Sequence, residues 1–397
     1  MATLTLKQKL VRCGAAVAAA GAIGSTMIAT SPVNADPKQF SAFVGVGSDT
    51  TQDVLNAFAG FAGGTNFTPV QTTAATGQRQ LISFDATGSD CIISRTGGGT
   101  FNRPNGSTGG RRALSRSLTG TTYGNALCGP AAGSNVSGQV QFARSSSGPA
   151  GGDVGTDLTY VPFGRDGVSF AYYRTDGSPV TTLTRAQLTS LFTTGTQTID
   201  GVRIVPCGIQ TASGTYGFWN TVTTATAAQE NTATADCQAL PGINRLQEND
   251  GEELKLLGDQ ADTAVNGTQV VTGFSAGAFI AKSNGVAAPT PPAGVGIGSI
   301  SNDGNGNNLG SPIAGTAPNL TPSATFFANG TFGRTVFNVV PTALIGSAFG
   351  NADLKSMFSG PTSAVCQATA TVQTFGFLPA PNCGVLNIRG SYIAGAL

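Results

Sequence analysis

Residues 43–51 read FVGVGSDTT, a short apolar run that ends in a polar turn. Behind the turn, apolar side chains recur at the spacing of an α-helix from Val54 to Phe61. The stretch therefore predicts a strand over residues 43–46, a turn, and then a helix that Asp49 or Thr50 can cap.

The same order of strand, polar turn and helix recurs along the chain. Three further Gly- and Ser-rich turns lie at residues 103–110, 143–148 and 210–215. The first precedes a predicted helix over residues 111–118, the second follows a strand-like run, and the third leads into an apolar stretch from Tyr216. Thr184 and Gln187 form a capping box, which predicts a helix through Phe192. Strands that alternate with helices predict an α/β fold.

The length and the charge of the chain limit its class. The sequence has 397 residues, which at about 150 residues per domain predicts two or three domains. Charged residues make up only 10% of the chain, and the formal net charge is +1. This balance argues against the broad basic surface of a nucleic-acid-binding protein, so no nucleic-acid partner is expected.

Histidine is absent from the sequence. This excludes a Ser-His-Asp or Cys-His nucleophile system and any histidine-ligated zinc or haem. The GxSxG string at residues 273–277 therefore lacks a general base, and we expect a small-residue turn there. The acidic cluster at residues 248–253 could supply paired carboxylates for glycoside hydrolysis, but a solvated turn is expected. No P-loop is present, and no cofactor or metal is predicted.

The first 35 residues have the pattern of a secretory signal. A positively charged start is followed by an Ala-rich apolar stretch over residues 14–30 and by a small-residue cleavage site that ends at Ala35. The alternative, a membrane-spanning helix, is disfavoured because the apolar stretch is short and rich in Ala and Gly. Cys13 precedes this stretch and Asp36 follows the cleavage site, so no lipid anchor is predicted. We expect a secreted or periplasmic protein.

Export to an oxidising compartment makes the cysteines informative. Six cysteines remain after the signal, and an even number of this kind predicts three disulfides. Fifteen pairings are possible. The cysteines fall into three local couples, which favours the pairs Cys91–Cys128, Cys207–Cys237 and Cys366–Cys383. A thiolate metal site is the alternative, but the sequence contains no CxxC.

The repeated turns are suited to anion binding. The first turn of a helix leaves backbone N–H groups unpaired and carries a partial positive charge. Gly lets a ligand approach the backbone, and Ser and Thr hydroxyls add donors, so several such turns around one cleft could hold a dehydrated oxyanion. The alternative is that Ser, Thr and Gly serve there only as good helix caps.

In order and spacing, these motifs resemble those of the phosphate-binding proteins of ABC transporters, within the type II periplasmic solute-binding superfamily. GVGSDT at residues 45–50 is similar to the family's first ligand turn, and GSTGG at residues 106–110 to its second. LTRAQLTSLF at residues 183–192 resembles the family's LTxxQLxxIF helix, and ASGT at residues 212–215 resembles its GSGT turn. The chain most resembles secreted, histidine-poor actinobacterial members with the ARSSS pattern, here at residues 143–147.

The resemblance runs from about residue 41 to residue 360. It implies a two-lobed, type II periplasmic-binding-protein-like α/β fold, with the ligand between lobes joined by a two-crossing hinge. The first lobe would comprise residues 36–162 and 334–397, and the second residues 163–333. It also implies a monomeric solute-binding protein, not an enzyme, that binds phosphate or a similar small anion and has an ABC transporter permease as its partner. The implied ligand-binding residues are Ser48, Asp49, Thr50, Ser107, Thr108, Arg144, Ser145, Ser146, Ser213, Gly214 and Thr215.

Two positions depart from the family pattern. The family has an Arg shortly before its GSGT turn, where this chain reads CGIQ at residues 207–210. The family also has an Asp in the turn that matches residues 143–147, where this chain has an Arg and three serines. One hypothesis is that Arg144 supplies the charge and Asp49 supplies the acceptor. The alternative is that the ligand is a different one.

Two other classes of function stay open. A secreted enzyme could act on glycans through carboxylates, although the sequence has only 1 Trp and 6 Tyr to stack on sugars. A cell-surface relative could keep the fold and bind no ligand. A binding protein needs no catalytic residues, so we favour the solute-binding function.

Overall fold

The computed structural model describes residue 36 and residues 43–72, 78–346 and 350–394. The predicted signal at residues 1–35 lies outside the described residues. The strands are β1 (Phe43–Gly47), β2 (Phe61–Ala62), β3 (Thr65–Asn66), β4 (Leu81–Ser83), β5 (Cys91–Ile92), β6 (Phe101–Asn102), β7 (Thr122–Tyr123), β8 (Ser134–Asn135), β9 (Phe142–Ser145), β10 (Leu158–Arg174), β11 (Thr182–Thr184), β12 (Gln197–Ile199), β13 (Val202–Pro206), β14 (Gln269–Ser275), β15 (Gly296–Ile297), β16 (Ser299–Asn302), β17 (Ile313–Ala314), β18 (Thr321–Pro322), β19 (Gly333–Pro341), β20 (Leu378–Pro379) and β21 (Arg389–Gly390). The helices are α1 (Gln52–Phe58), α2 (Gly106–Thr119), α3 (Arg185–Thr194), α4 (Gly214–Thr223), α5 (Ala227–Ala233), α6 (Ala235–Gln238), α7 (Gly251–Ala264), α8 (Ala276–Ser283), α9 (Ala324–Ala328), α10 (Thr342–Ile345), α11 (Ala352–Phe358), α12 (Ala364–Gln367) and α13 (Thr369–Thr374). None of the helices in these described ranges is long and apolar enough to cross a membrane.

The largest sheet has 11 strands, eight of which lie side by side in the order β12-β13-β14-β10-β19-β9-β1-β4. β1 pairs in parallel with β4 and β9, and β13 pairs in parallel with β14. β10 pairs antiparallel with both β14 and β19. The sheet is therefore mixed, and helices that follow its strands make the architecture α/β.

Strand β10 is 17 residues long and has different neighbours along its length. Its first part, Leu158–Gly167, pairs with β19. Its second part, Val168–Arg174, pairs with β14. One continuous strand therefore connects the two halves of the sheet.

Three hydrophobic cores lie against this sheet. Successive residues face opposite sides of a strand, so Phe43 lies in one core and Val44 in another, and Val161 and Tyr160 are divided in the same way. The third core begins with Val168, in the second part of β10. β10 therefore runs from the first two cores to the third, and β19 begins directly after Phe332 of the third core and contributes to the first two.

The fold class predicted from the sequence is confirmed: the chain is α/β, with two lobes joined by two strand crossings. The lobe boundaries, residues 36–162 with 334–397 and residues 163–333, stay a prediction. The disulfides are Cys91–Cys128, Cys207–Cys237 and Cys366–Cys383, which confirms the three local pairings.

Close packing places the turn after β1 against helix α2. A Cβ atom on Gly110 would lie 2.5 Å from Gly47 Cα, so a larger residue would push the helix away. Gly47 has a φ of +119°, a conformation that other residues rarely adopt. The GSTGG motif therefore brings the first turn of α2 beside the first polar turn of the chain.

The predicted cap of the first helix is wrong. α1 begins at Gln52, its N-cap position is Thr51, and no side chain of the described residues caps it. Asp49 and Thr50 do not cap the helix because their side chains form hydrogen bonds with Asn249 and Glu248 instead.

Two other boundaries differ from the prediction, and one signal is confirmed. α2 begins at Gly106, inside the predicted turn, rather than at Arg111. β9 covers residues 142–145 and so extends into the turn predicted at 143–148. The Thr184 side chain accepts from the Gln187 backbone N–H, which confirms the capping box before α3.

Candidate functional site

Two buried serines meet where α2 begins and β9 ends. Ser107 Oγ accepts a hydrogen bond of 3.0 Å from the backbone N–H of Ser146, and the two hydroxyl oxygens lie 3.2 Å apart. Gly214 faces them: a Cβ atom there would lie 2.4 Å from Ser146 Oγ and 2.5 Å from Ser107 Oγ. Three of the predicted turns therefore converge on one point, and Gly at position 214 is what allows the approach.

The first turns of α2 and α4 face each other at this point. The backbone N–H of Thr108 donates to the Ala212 carbonyl at 3.1 Å. Ser213 is the N-cap of α4, and its Oγ accepts from the N–H groups of Thr215 at 2.9 Å and Tyr216 at 3.1 Å. Both helix starts carry partial positive charge, so their junction favours a negatively charged group.

A pair of threonines continues the cluster of hydroxyls. Thr50 Oγ1 and Thr215 Oγ1 lie 3.3 Å apart, and both are buried. Arg334 Nη2 donates to Thr215 Oγ1 at 2.8 Å and to Thr50 Oγ1 at 3.3 Å. A guanidinium therefore lies directly behind the two hydroxyls.

Arg334 lies on β19 and is held by Asp166 on the adjacent strand β10. Its Nε and Nη2 donate to Asp166 Oδ2 at 3.0 and 2.8 Å. Asp166 Oδ1 accepts from Ser275 Oγ at 2.9 Å and from the N–H of Gly277 at 3.1 Å. Burial raises the pKa of the Asp166 carboxyl, and the Arg334 charge opposes this shift. The ion pair is thus anchored on the two strands that join the lobes.

The GxSxG string at residues 273–277 supports the Asp166 carboxylate through Ser275. Ser275 ends β14 and caps α8, with its Oγ accepting from the N–H of Ala278 at 3.1 Å. The small-residue turn expected at residues 273–277 is therefore a strand-to-helix corner that supports Asp166.

The acidic cluster departs from the prediction of a solvated turn. Glu248 and Asn249 are each only 1% exposed. Glu248 Oε1 accepts from Thr50 Oγ1 at 2.8 Å, from the Thr215 N–H at 3.3 Å and from Thr215 Oγ1 in a very short contact. The prediction is wrong for these two residues because hydroxyl and amide donors from distant segments surround them.

Asn249 ties the same segment to the first polar turn. Its Nδ2 donates to Asp49 Oδ1 at 3.0 Å and to Thr50 Oγ1 at 3.2 Å. Its carbonyl accepts from Lys282 Nζ at 2.7 Å. Burial raises the pKa of Asp49 to about 7; the Glu248 charge adds to the shift, while Lys282 and the Asn249 hydrogen bond oppose it.

Four buried polar atoms in this cluster have no hydrogen-bond partner within the described part of the chain: Ser48 Oγ, Thr51 Oγ1, Glu248 Oε2 and Arg334 Nη1. Buried polar atoms are nearly always paired with protein, water or ligand. Their concentration around Thr50 and Thr215 makes this cluster the candidate site.

Arg144 lies beside the cluster, but its guanidinium forms hydrogen bonds with the turn after β1 and with residues 83–84. It is fully buried and donates to the carbonyls of Gly47, Ser48 and Phe84 and to Ser83 Oγ, at distances from 2.6 to 3.1 Å. Burial lowers its pKa to about 10. Arg144 therefore holds the turn after β1 in place, and the charge near the hydroxyls comes from Arg334.

The other predicted site residues either support a local turn, as Arg144 does, or lie in the candidate site. Ser145 Oγ donates to the carbonyl of Ser147 at 2.7 Å and shapes its own turn. The structure brings together the hydroxyl, amide or carboxyl groups of Asp49, Thr50, Ser107, Ser146, Ser213, Gly214 and Thr215. The sequence assigned neither Asp166 nor Arg334 to the site, because an Asp or Arg within a strand has no distinguishing local signal. Glu248 and Asn249 stood out only as part of an acidic cluster expected to be a solvated turn.

An amide cluster at the edge of this site joins the turn before α2 to two segments next to the third core. Asn105 Nδ2 donates to Gln247 Oε1 at 2.8 Å, and Gln210 Nε2 donates to Asn105 Oδ1 at 2.7 Å. Asn105 precedes α2, whereas Gln210 and Gln247 directly follow Ile209 and Leu246 of the third core. The described residues contain no group of three Cys, Asp or Glu side chains that could hold a metal ion.

No family model matches the chain, and no curated protein matches it. Solved structures do resemble it. A phosphate ABC transporter substrate-binding protein with bound phosphate from Clostridium perfringens is 12% identical, with 85% of this chain and 99% of that chain covered and a TM-score of 0.45.

An ABC-type phosphate transport receptor from Vibrio cholerae is 13% identical, with the same 85% and 99% covered and a TM-score of 0.45. A phosphate-binding protein from Stenotrophomonas maltophilia is 14% identical, with 86% of this chain and 91% of that chain covered and a TM-score of 0.44.

Proposed function

We propose that this chain is a solute-binding protein that holds a small oxyanion, phosphate or a close analogue, between its two lobes. The observation that carries the proposal is the convergence of buried donors from four distant segments. The hydroxyls of Thr50 and Thr215 form one pair and those of Ser107 and Ser146 form another next to Gly214. Arg334 Nη2 donates to Thr215, and Arg334 Nη1 has no hydrogen-bond partner among the described residues.

The chemistry of these donors suits an oxyanion. α2 and α4 are 14 and 10 residues long, so both helix starts offer partial positive charge and backbone N–H groups. Arg334 adds a positive charge beside the hydroxyls of Thr215 and Thr50, whereas residues 207–210 contain no Arg. Hydrogen bonds from charged donors are the strong ones, so Arg334 would contribute most to affinity.

The fold supplies a route for the ligand. Two strands, β10 and β19, connect the lobes, and a connection of this kind permits hinge opening. Opening would separate Ser107 and Ser146 from Gly214 and admit the anion, and closure would exclude water around it. Binding of this kind needs no catalytic residue, so we propose a non-enzymatic role.

The cellular setting of the proposal follows from the sequence. Removal of residues 1–35 would release a secreted or periplasmic protein whose disulfides form during export. We propose that it acts as a monomer and passes its anion to an ABC transporter permease.

Calorimetric titration of anion-free protein with phosphate tests the proposal. We expect saturable binding at one site, and Thr215→Val should weaken it at least tenfold, since a hydrogen bond to a charged group contributes about 1.5–3 kcal/mol. Ser169→Ala is the matched control, because Ser169 is buried but donates to the Gly298 carbonyl outside the site. A phosphate concentration of about 100 times Kd should also stabilise the fold by about 2.7 kcal/mol. Absence of both heat and stabilisation in millimolar phosphate would overturn it.

One observation favours a second candidate, a cell-surface relative that keeps the fold and binds no anion. The carboxylate of Glu248 already accepts hydrogen bonds from Thr50 and Thr215. If that contact is permanent, the donors are fully used by the protein itself and the phosphate titration gives no heat.

A further inference from the structure

We propose that Glu248 is a built-in competitor for the proposed oxyanion, so that its carboxylate sets the affinity of the site and must be displaced by the ligand. The inference rests on the proposed function and adds to it a specificity-determining residue. It follows from where one carboxylate oxygen lies.

Glu248 Oε1 has the surroundings of a bound oxyanion oxygen. It accepts from two hydroxyls, those of Thr50 and Thr215, and from the backbone N–H of Thr215 in the first turn of α4. A helix start with added hydroxyl donors is the arrangement that proteins use to bind phosphate oxygens. The Glu248 carboxylate therefore occupies one oxygen position of the proposed site.

The neighbouring residues hold Glu248 in place from both sides. Gln247 pairs with Asn105 next to α2, and Asn249 pairs with Asp49 and with Thr50. Asn249 is buried and has a φ of +58°, in the left-handed region that a residue with a side chain adopts at some cost. Contacts of Gln247 and Asn249 thus hold the segment 247–249 in place, with Asn249 in the left-handed conformation.

The carboxylate is only partly satisfied in this position. Its second oxygen, Glu248 Oε2, is buried with no partner in the described ranges, and the same holds for Arg334 Nη1. A buried carboxylate oxygen without a hydrogen-bond partner costs free energy, because it has lost its contacts with water. The Glu248 carboxylate is therefore less stable in this position than it would be with both oxygens hydrogen-bonded. An anion that pairs with Arg334 Nη1 as well as with the threonine hydroxyls would make the contact that Glu248 does not make.

Charge decides whether the two anions can share the site. An ionised Glu248 and a phosphate that contacts Thr50 and Thr215 would lie within a few ångströms of each other in a region shielded from water, where like charges repel strongly. The ligand therefore displaces the carboxylate rather than adding to it, and weakly held anions do not bind.

Phosphate titration of the Glu248→Gln variant by calorimetry tests this inference. The amide is similar in size and lacks the charge, so phosphate should bind at least tenfold more tightly than to the unmodified protein. Glu252→Gln removes the same formal charge from an exposed position four residues along the chain and should leave the affinity unchanged. Glu248→Asp keeps the charge but is one methylene shorter, so it should also bind more tightly, and it serves as the second variant if Glu248→Gln does not fold.

The outcomes separate the inference from the proposed function. Equal or weaker phosphate binding by Glu248→Gln, with normal binding by the unmodified protein, overturns the inference and leaves the function standing; weaker binding would mean that Glu248 accepts a hydrogen bond from a protonated ligand. Binding by Glu248→Gln alone supports the inference and makes the unmodified protein a self-blocked relative. Binding by neither protein overturns both.

Discussion

Arg144 and Asp49 are the two side chains that the sequence pattern predicted to bind the ligand. Arg144 was expected to supply the positive charge, and Asp49 the hydrogen-bond acceptor. Both are buried beside the turn after β1, but their hydrogen bonds go to the protein itself. Arg144 donates to the carbonyls of Gly47 and Ser48 at the end of β1 and to that of Phe84 directly after β4, which makes it a support for that turn. Asp49 accepts from Asn249, which links the turn to the segment of Glu248.

Replacement of Arg144 by Ala should therefore act on stability. The change leaves the carbonyls of Gly47, Ser48 and Phe84 buried without a donor, and we expect the free energy of unfolding to fall by about 3–5 kcal/mol. Urea denaturation measures it. Arg203→Ala is the control, since Arg203 forms a partly exposed ion pair with Asp236 and its loss should cost less than about 1 kcal/mol. A loss as small as the control's would show that Arg144 is not a structural support.

Asp49 should make stability depend on pH. Burial raises its pKa from 3.8 to about 7 in the folded protein. Between these values the folded state binds a proton that the unfolded state has released, so stability falls as pH rises from about 4 to about 7. We expect Asp49→Asn to remove about 1–3 kcal/mol of this decline, as measured by urea denaturation across that range. Identical pH dependence in the two proteins would contradict the assigned shift.

Local elements could be predicted from the sequence because their signals are local. The Thr184–Gln187 capping box, the Ser213 cap of α4 and the strand before residue 47 each depend on a few neighbouring residues. The three disulfides could be paired because each joins cysteines that are near in sequence.

The site could be predicted only in part because its remaining contacts are far apart in the chain. Glu248 is 198 residues from Thr50, and Arg334 is 284 residues from it. An acidic run after Leu246 has the composition of a surface turn, and an Arg in a strand has no distinguishing neighbour. Only the sheet order, which places β19 between β9 and β10, brings Arg334 to the threonines.

The segment before α7 and the turn before α2 meet through the amide cluster of Asn105, Gln210 and Gln247. Asn105→Ala removes the three side-chain hydrogen bonds that Asn105 forms with Gln210 and Gln247. We therefore expect the closed state to be less populated and phosphate to dissociate about three to ten times faster, as measured by stopped-flow competition. Asn102→Ala is the control, because Asn102 bonds to Asn125 on the same side of the cleft. Equal dissociation rates in the two variants would rule out the amide cluster as a closing contact.

On the scale of the whole molecule, one mixed sheet carries both lobes, and β10 and β19 are the shared strands. Asp166 and Arg334 form their ion pair on these two strands, at the point where the strands pass between the cores. The charge that faces the threonines is therefore fixed in the connection itself. Opening and closing would move the hydroxyls of the two lobes relative to Arg334, which makes the ion pair the stationary part of the proposed site.

The most direct test is a crystal structure of the protein with arsenate, an analogue of phosphate whose position is revealed by anomalous scattering. We predict one strong anomalous peak in the cleft, from an arsenate whose oxygens lie within hydrogen-bond distance of Thr215 Oγ1 and Arg334 Nη1, with the Glu248 side chain moved away from the threonines. A fully occupied crystal whose peaks all lie on the outer surface, with Glu248 still bonded to Thr50 and Thr215, would contradict it.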